Sequence, residues 1–248
     1  MHVETFGDPA GSPLLLLHGG GVAGWMWEPL RTHLVEGVRA IVPDLPGHGR
    51  SSGDAYSSHA STVAALAEVL REVGRPVTVV GFSLGAQLTV QLASEFPELV
   101  RNVIVISAQA VPMRMTRPTL ALLGATASLA RNERFARMQA RQLFIPDELL
   151  ADYVRTSAGI SRETLLRSVE ENLRFTPPAG WRTYPGAASN LVGAKEKSLM
   201  KRSAALLHDS LPHSTREVVD DCGHGIPLQQ PAWLARHIEA TLDDRGSA

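Results

Sequence analysis

The sequence has almost no cysteine, because Cys222 is the only one among its 248 residues. A single thiol cannot form an intramolecular disulfide, and it cannot supply the cysteine ligands of a zinc or iron–sulfur site. The amino terminus also lacks the basic flank and the following apolar run that define a secretory signal. We therefore expect a protein of a reducing compartment, most simply the cytoplasm.

Long apolar runs and a net charge are missing as well. The longest apolar run near the amino terminus covers only residues 14–17, far short of the roughly 20 residues that span a bilayer. Lys and Arg number 24 against 25 Asp and Glu, which gives a formal net charge of -1. Such a balance provides no overall attraction for a phosphate backbone. We expect neither a membrane nor a nucleic acid as a partner.

Short apolar segments alternate with helical patterns along most of the chain. This alternation is typical of an α/β fold in which helices flank a mostly parallel sheet. One helical pattern ends at Gly74, and a second begins after Ser83 and ends before Pro97. The predicted strands are residues 3–6, 14–17, 39–42, 77–80, 103–106, 188–192 and 215–219.

The alternation stops between residues 112 and 186, where helical segments are predicted over 120–130, 133–143 and 148–157. We predict a core of residues 1–111 and 187–248 with residues 112–186 as a helical insertion. The insertion has 11 arginines and seven acidic residues, an excess of four. Charge runs are usually solvated helix faces. We favour that interpretation over attraction of an anionic substrate.

The segment with the clearest chemistry is Gly81-Phe-Ser-Leu-Gly85, which follows the predicted strand 77–80 and precedes a helix. This GxSxG pattern places a serine on a sharp turn, with small neighbours that let backbones pass closely. We predict that Ser83 is a nucleophile. The Leu84 N–H, at the helix start, is then placed to stabilise a developing oxyanion.

A serine hydroxyl needs a base within hydrogen-bond reach and a third group that orients the base. His224 follows the last predicted strand and is flanked by glycines, so we predict that it is the base. Glu196 follows the preceding strand and is our candidate for the acid, since this order brings the three groups to one sheet edge. Asp220 and Asp221 are alternatives, which we interpret as turn residues.

A glycine loop, residues 18–21, follows the predicted strand 14–17 and offers unhindered N–H groups. We assign Gly20 to the oxyanion site together with Leu84. For Trp25 and Trp27, a pocket wall and a core position are equally supported. The candidate substrate contacts are Gly21, Trp25, Trp27 and Phe82.

Other residues have reactive side chains but a simpler interpretation. His18 and His48 each precede a glycine in a loop, and Asp44 ends a strand. We expect these three to hold turns. Cys222 has no neighbour that would activate a thiolate, so we expect it to be buried packing.

Five motifs together resemble the α/β-hydrolase superfamily, in that superfamily's order and over nearly the whole chain. They are His18-Gly-Gly-Gly, Asp44-Leu-Pro-Gly-His-Gly-Arg-Ser, Gly81-Phe-Ser-Leu-Gly, Leu191-Val-Gly-Ala-Lys-Glu and Cys222-Gly-His-Gly-Ile-Pro. The resemblance is to the serine esterase-like branch. It implies a triad of Ser83, His224 and Glu196 under a helical cap at about 112–186. The superfamily usually has aspartate where this chain has Glu196.

These features predict a serine hydrolase that cleaves an ester, or a related acyl bond, of a small and largely apolar substrate. The chemistry needs no metal and no cofactor. The alternatives are a non-hydrolytic enzyme on the same framework, namely a hydroxynitrile lyase, a cofactorless oxygenase or a perhydrolase, and a ligand-binding receptor. The framework alone does not separate them, because function belongs to the site.

Overall fold

The seven predicted strands form one sheet in the computed structural model of the protein, which describes residues 1–113, 118, 120, 121, 123 and 132–243. The observed strands extend the predicted ones by up to three residues at an end, apart from the last, whose bounds agree. They are β1 (Val3–Gly7), β2 (Ser12–Leu17), β3 (Val38–Pro43), β4 (Val77–Phe82), β5 (Val100–Ile106), β6 (Ala188–Gly193) and β7 (Thr215–Val219).

The strand order across the sheet is β1-β3-β2-β4-β5-β6-β7. β1 pairs with β3 in the antiparallel direction, and the other pairings of the described strands are parallel. The segments after β2, β4, β5, β6 and β7 therefore meet at one edge, where open α/β sheets carry their sites. The central strand β4 is buried over its whole length, as its apolar sequence predicts.

Helices cover both faces of the sheet, as expected for an α/β fold. Gly74, with a φ of 74°, ends α2 in the left-handed conformation that favours glycine. No helix in the described part of the chain is long and apolar enough to cross a membrane. The helices are α1 (Glu28–Arg31), α2 (His59–Val73), α3 (Leu84–Glu95), α4 (Glu133–Gln142), α5 (Leu150–Gly159), α6 (Arg162–Arg174), α7 (Ser198–Ser210), α8 (Ile226–Gln229) and α9 (Pro231–Asp243).

The sheet separates two apolar clusters. One packs β2 and β4 against α2 and α3, with Leu66 and Leu88 fully buried. The other packs the opposite sheet face against α1 and α9, with Leu30 and Ile238 fully buried. The two clusters hold the central strands between them, so the turn after β4 begins at the end of a tightly packed strand.

The helices α4, α5 and α6 lie between β5 and β6, in the predicted insertion. The first two correspond to the segments predicted over 133–143 and 148–157. The predicted helix over 120–130 lies largely outside the described residues, although residues 120, 121 and 123 are helical. The last part of the predicted insertion packs into the core, where Trp181 is fully buried and its Nε1–H donates to the Leu207 carbonyl at 3.0 Å.

The glycines of the turn after β4 are required by close backbone contact. A Cβ placed on Gly85 would clash with the backbone carbonyls of Leu17 and His18. We expect Gly85→Ala to lower the free energy of unfolding by about 1–3 kcal/mol through overpacking. Thermal unfolding of the variant would measure this. Gly53→Ala is the matched control, because a Cβ at Gly53 meets nothing within 4 Å; an equal effect of both substitutions would contradict the packing argument.

Candidate active site

Ser83 lies on a sharp turn between β4 and α3. Its backbone has φ 53° and ψ −109°, a conformation that L-residues rarely adopt. The adjacent glycines permit the turn, since a Cβ on Gly81 would clash with the carbonyl of Gly85. The Ser83 N–H donates to the Ile106 carbonyl at 2.9 Å, which ties the turn to β5. The strained position holds the Ser83 hydroxyl at the sheet edge.

The imidazole of His224 lies beside the Ser83 hydroxyl. His224 follows β7, and its Nε2 is 3.1 Å from Ser83 Oγ. Its Nδ1 is 2.8 Å from Glu196 Oε2. Because a carboxylate only accepts hydrogen bonds, the neutral imidazole carries its proton on Nδ1. Nε2 is then free to accept the hydroxyl proton, as a general base requires.

Glu196 is held at the far side of the imidazole by three donors. Besides His224, Ser107 Oγ donates to Glu196 Oε1 at 2.6 Å and the Gly193 N–H donates to the same oxygen at 2.9 Å. The Glu196 side chain is only 2% exposed. Burial alone would raise the pKa of Glu196, but the bonds from His224, Ser107 and Gly193 outweigh it and lower the pKa below its ordinary value. Glu196 is therefore ionised at neutral pH.

The two alternative acids lie elsewhere. Asp221 has an 86% exposed side chain, and its Oδ1 is 3.1 Å from Lys195 Nζ. Asp220 is also exposed. Neither carboxylate contacts His224 among the bonds of the described residues. Of the three acids that the sequence left open, the structure brings only Glu196 to His224.

Ser107 contacts Glu196, and the sequence analysis did not identify it. We expect Ser107→Ala to lower kcat about tenfold and to raise the pKa of Glu196, because one of the donors that hold its carboxylate is lost. Difference infrared spectroscopy across a pH titration would show the second effect as a Glu196 carboxylate band that disappears at a higher pH than in the wild type. Ser189→Ala removes a hydroxyl of β6 that contacts His237 at 2.8 Å, away from the site. Equal losses of kcat in both variants, with an unmoved titration of Glu196, would reduce Ser107 to a structural role.

A cavity of about 480 Å³ opens at Ser83. Gly20, Gly21 and Leu84 line it from the sheet side, and residues of α4, α5 and α6 line it from the other. A Cβ at Gly20 would lie 3.8 Å from Leu84 Cδ2, so the two predicted oxyanion donors belong to adjacent segments. The apolar lining includes Phe135, Leu143, Ile160, Leu165 and Val169.

The three aromatic residues predicted as substrate contacts do not line this cavity. Trp27 is 1% exposed within the core, and both Trp25 and Trp27 line a separate cavity beside α5. The Trp25 Nε1–H donates to Thr156 Oγ1 at 2.9 Å. Phe82 is buried with its ring centroid 5.1 Å from that of His224. It therefore packs against the ring of His224 and is not part of the cavity lining.

His18 and Asp44 hold loops, as predicted. The His18 Nε2 accepts from the Leu45 N–H at 2.9 Å, and its Nδ1–H donates to the Gly19 carbonyl at 2.7 Å. Burial, aided by the nearby His48, lowers the pKa of His18 to about 3 and keeps it neutral. Asp44 Oδ1 accepts from the Gly24 N–H at 2.8 Å. These bonds fix the glycine loop beside Ser83.

His48 and Cys222 are both buried. Burial raises the pKa of the Cys222 thiol, which fits a packing residue. The His48 Nδ1–H donates to the Pro46 carbonyl at 3.0 Å, which holds a turn, but His48 also lines the cavity at Ser83. The sequence analysis did not foresee this second position.

Known proteins resemble this chain over most of its length, and not only at the five motifs. A family model described as the alpha/beta hydrolase family matches residues 14–237. The chain is 29% identical over 271 residues to "Lipase LipV" of Mycobacterium tuberculosis, covering 99% of this chain and 98% of that protein. It is 33% identical over 258 residues to a pimeloyl-[acyl-carrier protein] methyl ester esterase of Nitrosomonas europaea, covering 97% and 98%.

The fold is shared with solved structures at lower sequence identity. A bromoperoxidase from Bacillus anthracis matches with a TM-score of 0.84 at 20% identity, covering 98% of this chain and 95% of that one. At this identity the likeness speaks for the fold, which agrees with the parallel sheet and the turn after β4. Since the family model covers most of the chain, the protein belongs to the alpha/beta hydrolase family.

Proposed function

We propose that the protein is a serine hydrolase that cleaves an ester, or a related acyl bond, of a small and largely apolar substrate. The observation that carries the proposal is the chain of hydrogen bonds from Ser83 Oγ to His224 and from His224 to Glu196, at 3.1 and 2.8 Å. Nucleophile, base and orienting acid are thus in contact at the mouth of a cavity. This arrangement suits acyl transfer.

In the acylation step, Ser83 Oγ attacks the ester carbonyl carbon while its proton passes to His224 Nε2. The ionised Glu196 stabilises the resulting imidazolium through the bond to Nδ1. The carbonyl oxygen becomes an oxyanion, and we assign its stabilisation to the backbone N–H groups of Leu84 and Gly20. The Leu84 N–H belongs to the first turn of α3, where backbone donors have no partner within the helix.

The tetrahedral intermediate then expels the alcohol, which takes the proton from His224 Nε2, and an acyl-enzyme at Ser83 remains. Water attacks this ester in the second half of the cycle. His224 removes a proton from the water and returns it to Ser83 Oγ as the acid departs. These reaction steps balance without a metal or a cofactor.

The size and lining of the cavity support a small substrate. A volume of about 480 Å³ is within the usual range for small-molecule pockets, and much of its wall is aliphatic or aromatic. We propose that α4, α5 and α6, within the predicted insertion of residues 112–186, act as a cap, since they supply the wall opposite Ser83. The names of the lipase and of the methyl ester esterase among the relatives support ester chemistry.

Hydrolysis of p-nitrophenyl esters of increasing acyl length tests the proposal. We expect an initial burst of p-nitrophenol, followed by steady turnover, because an activated p-nitrophenyl ester acylates Ser83 faster than the acyl-enzyme is hydrolysed, so the acyl-enzyme accumulates. We expect the rate to fall once the acyl chain outgrows the cavity. Absence of cleavage of every ester would contradict the hydrolase proposal. Product analysis with candidate substrates of a lyase, an oxygenase or a perhydrolase would then identify the reaction.

A further inference from the structure

The imidazole of His48 faces the catalytic cavity with one nitrogen occupied and one available. Its Nδ1 lies 3.0 Å from the Pro46 carbonyl, which can only accept, so Nδ1 carries the proton. Burial lowers the pKa of His48 and keeps the ring neutral. Nε2 is therefore an unprotonated hydrogen-bond acceptor.

The described residues provide no partner for this nitrogen. His48 is 1% exposed, and the space that it lines is the cavity that Ser83 also lines. An acceptor nitrogen at such a position is unfavourable by the desolvation it has undergone, unless a ligand or a water molecule donates to it.

Polar residues on one face of α6 lie next to His48 and form, together with it, a polar wall of the cavity. Thr164, Ser168 and Asn172 recur every four residues and so share a helix face. Thr164 is in direct contact with Gly47, the neighbour of His48, because a Cβ on Gly47 would collide with it. Ser168 and Asn172 line the cavity. The wall thus runs from the loop of His48 along α6.

His48 and Ser168 have only hydrogen-bond acceptors left for a ligand. Ser168 Oγ uses its proton on the Leu165 carbonyl at 3.2 Å, which leaves its lone pairs. Asn172 Nδ2 donates one of its two N–H groups to Gln87 Oε1 at 3.2 Å, so Asn172 can offer a ligand its amide oxygen or its second N–H. Together with His48, these groups favour a ligand that donates a hydrogen bond. A purely apolar substrate would leave them unpaired.

We propose that the substrate carries a hydroxyl group that donates a hydrogen bond to His48 Nε2, and that His48 thereby selects hydroxylated esters. The inference rests on the proposed function, because it places the hydroxyl in the same cavity as the ester cleaved at Ser83. The remainder of the substrate contacts the apolar wall of α4 and α6. His48 acts as a specificity-determining residue and takes no part in proton transfer to Ser83.

Matched esters test the proposal on the wild-type protein. Methyl 3-hydroxybutyrate, methyl 3-methoxybutyrate and methyl butyrate place the hydroxyl in the acyl part; 2-hydroxyethyl, 2-methoxyethyl and propyl butyrate place it in the alcohol part. In at least one series we expect kcat/KM for the hydroxyl ester to exceed that of both analogues by about tenfold. The methoxy ester keeps the oxygen but lacks the donor and is one carbon larger, whereas the unsubstituted ester is smaller, so bulk alone does not explain a preference over both. Equal values within both series would overturn the proposal.

His48→Phe keeps a planar ring and removes the acceptor. We expect it to abolish the preference for the hydroxyl ester over its methoxy analogue. Leu165→Val is the control, since it reshapes an apolar part of the same cavity and should change the rates on all esters of a series together. A preference that survives in His48→Phe would overturn the assignment to His48. Absence of hydrolysis of every ester, p-nitrophenyl esters included, would instead count against the proposed function.

Discussion

Replacing Ser83 with alanine is expected to reduce kcat on p-nitrophenyl esters by about 10⁴- to 10⁶-fold, because loss of a nucleophile removes the acyl-enzyme route altogether. The same variant should show no burst of p-nitrophenol. The expected residual rate over water comes from the cavity and the oxyanion donors. Steady-state and rapid-mixing absorbance measurements would record both effects.

The fold should tolerate this substitution. The Ser83 side chain contacts His224 and makes no other hydrogen bond among the described residues. Alanine keeps the Cβ at the same backbone position, so thermal unfolding should stay close to that of the wild type. Ser94→Ala, which removes a hydroxyl near the far end of α3 that donates to the Val90 carbonyl, is the matched control. Wild-type turnover by Ser83→Ala would end the nucleophile assignment.

The position of Ser83 could be predicted from sequence because it depends on local constraints. Only glycine fits at residues 81 and 85, where the turn brings backbones together, and the flanking strand and helix have strong periodic patterns. His224 and Glu196 follow from the strand order, since parallel strands end at one edge. Each of these inferences needs only the residue type and its distance from a strand end.

Other parts of the site depend on tertiary packing, which a periodic pattern of apolar and polar residues does not reveal. α6 has an apolar row at Leu165, Val169 and Leu173. The adjacent interior row, Thr164, Ser168 and Asn172, is polar, so the apolar face by which helices are recognised is narrow. Trp27 follows the glycine loop, yet the chain turns it into the core. Ser107 directly follows β5, and this position at the sheet edge was the available signal for its contact with Glu196.

His18 and His48 differ in their contacts, and the sequence does not predict this difference. His18 and His48 occupy similar sequence contexts, each before a glycine, and both hold a turn through Nδ1. The second nitrogen of His18 is occupied by the Leu45 N–H, whereas that of His48 has no partner among the described residues, and His48 lines the cavity. The difference arises from which segments pack against each ring. A pattern of residue types does not encode it.

Substituting Glu196 with glutamine is expected to reduce kcat by about 10³- to 10⁴-fold, the magnitude known for loss of the triad carboxylate in other serine hydrolases. The amide has nearly the same shape as the carboxylate, but it carries no charge to stabilise the imidazolium. Its NH₂ group also cannot accept the proton of His224 Nδ1. KM should change little, because Glu196 is buried behind His224 and does not line the cavity.

Two further variants make this test specific to the carboxylate. Glu196→Asp keeps the charge but shortens the side chain by one methylene, so we expect a rate between those of the wild type and Glu196→Gln. Asp221→Asn removes a neighbouring carboxylate that is exposed and paired with Lys195, and it should leave kcat within about twofold of the wild type, since exposed pairs contribute little. Near-normal turnover by Glu196→Gln, together with loss of turnover in Asp221→Asn, would contradict the assignment. Asp221 would then have to reach His224 during the reaction, and the contact between Glu196 and His224 would be a structural hydrogen bond only.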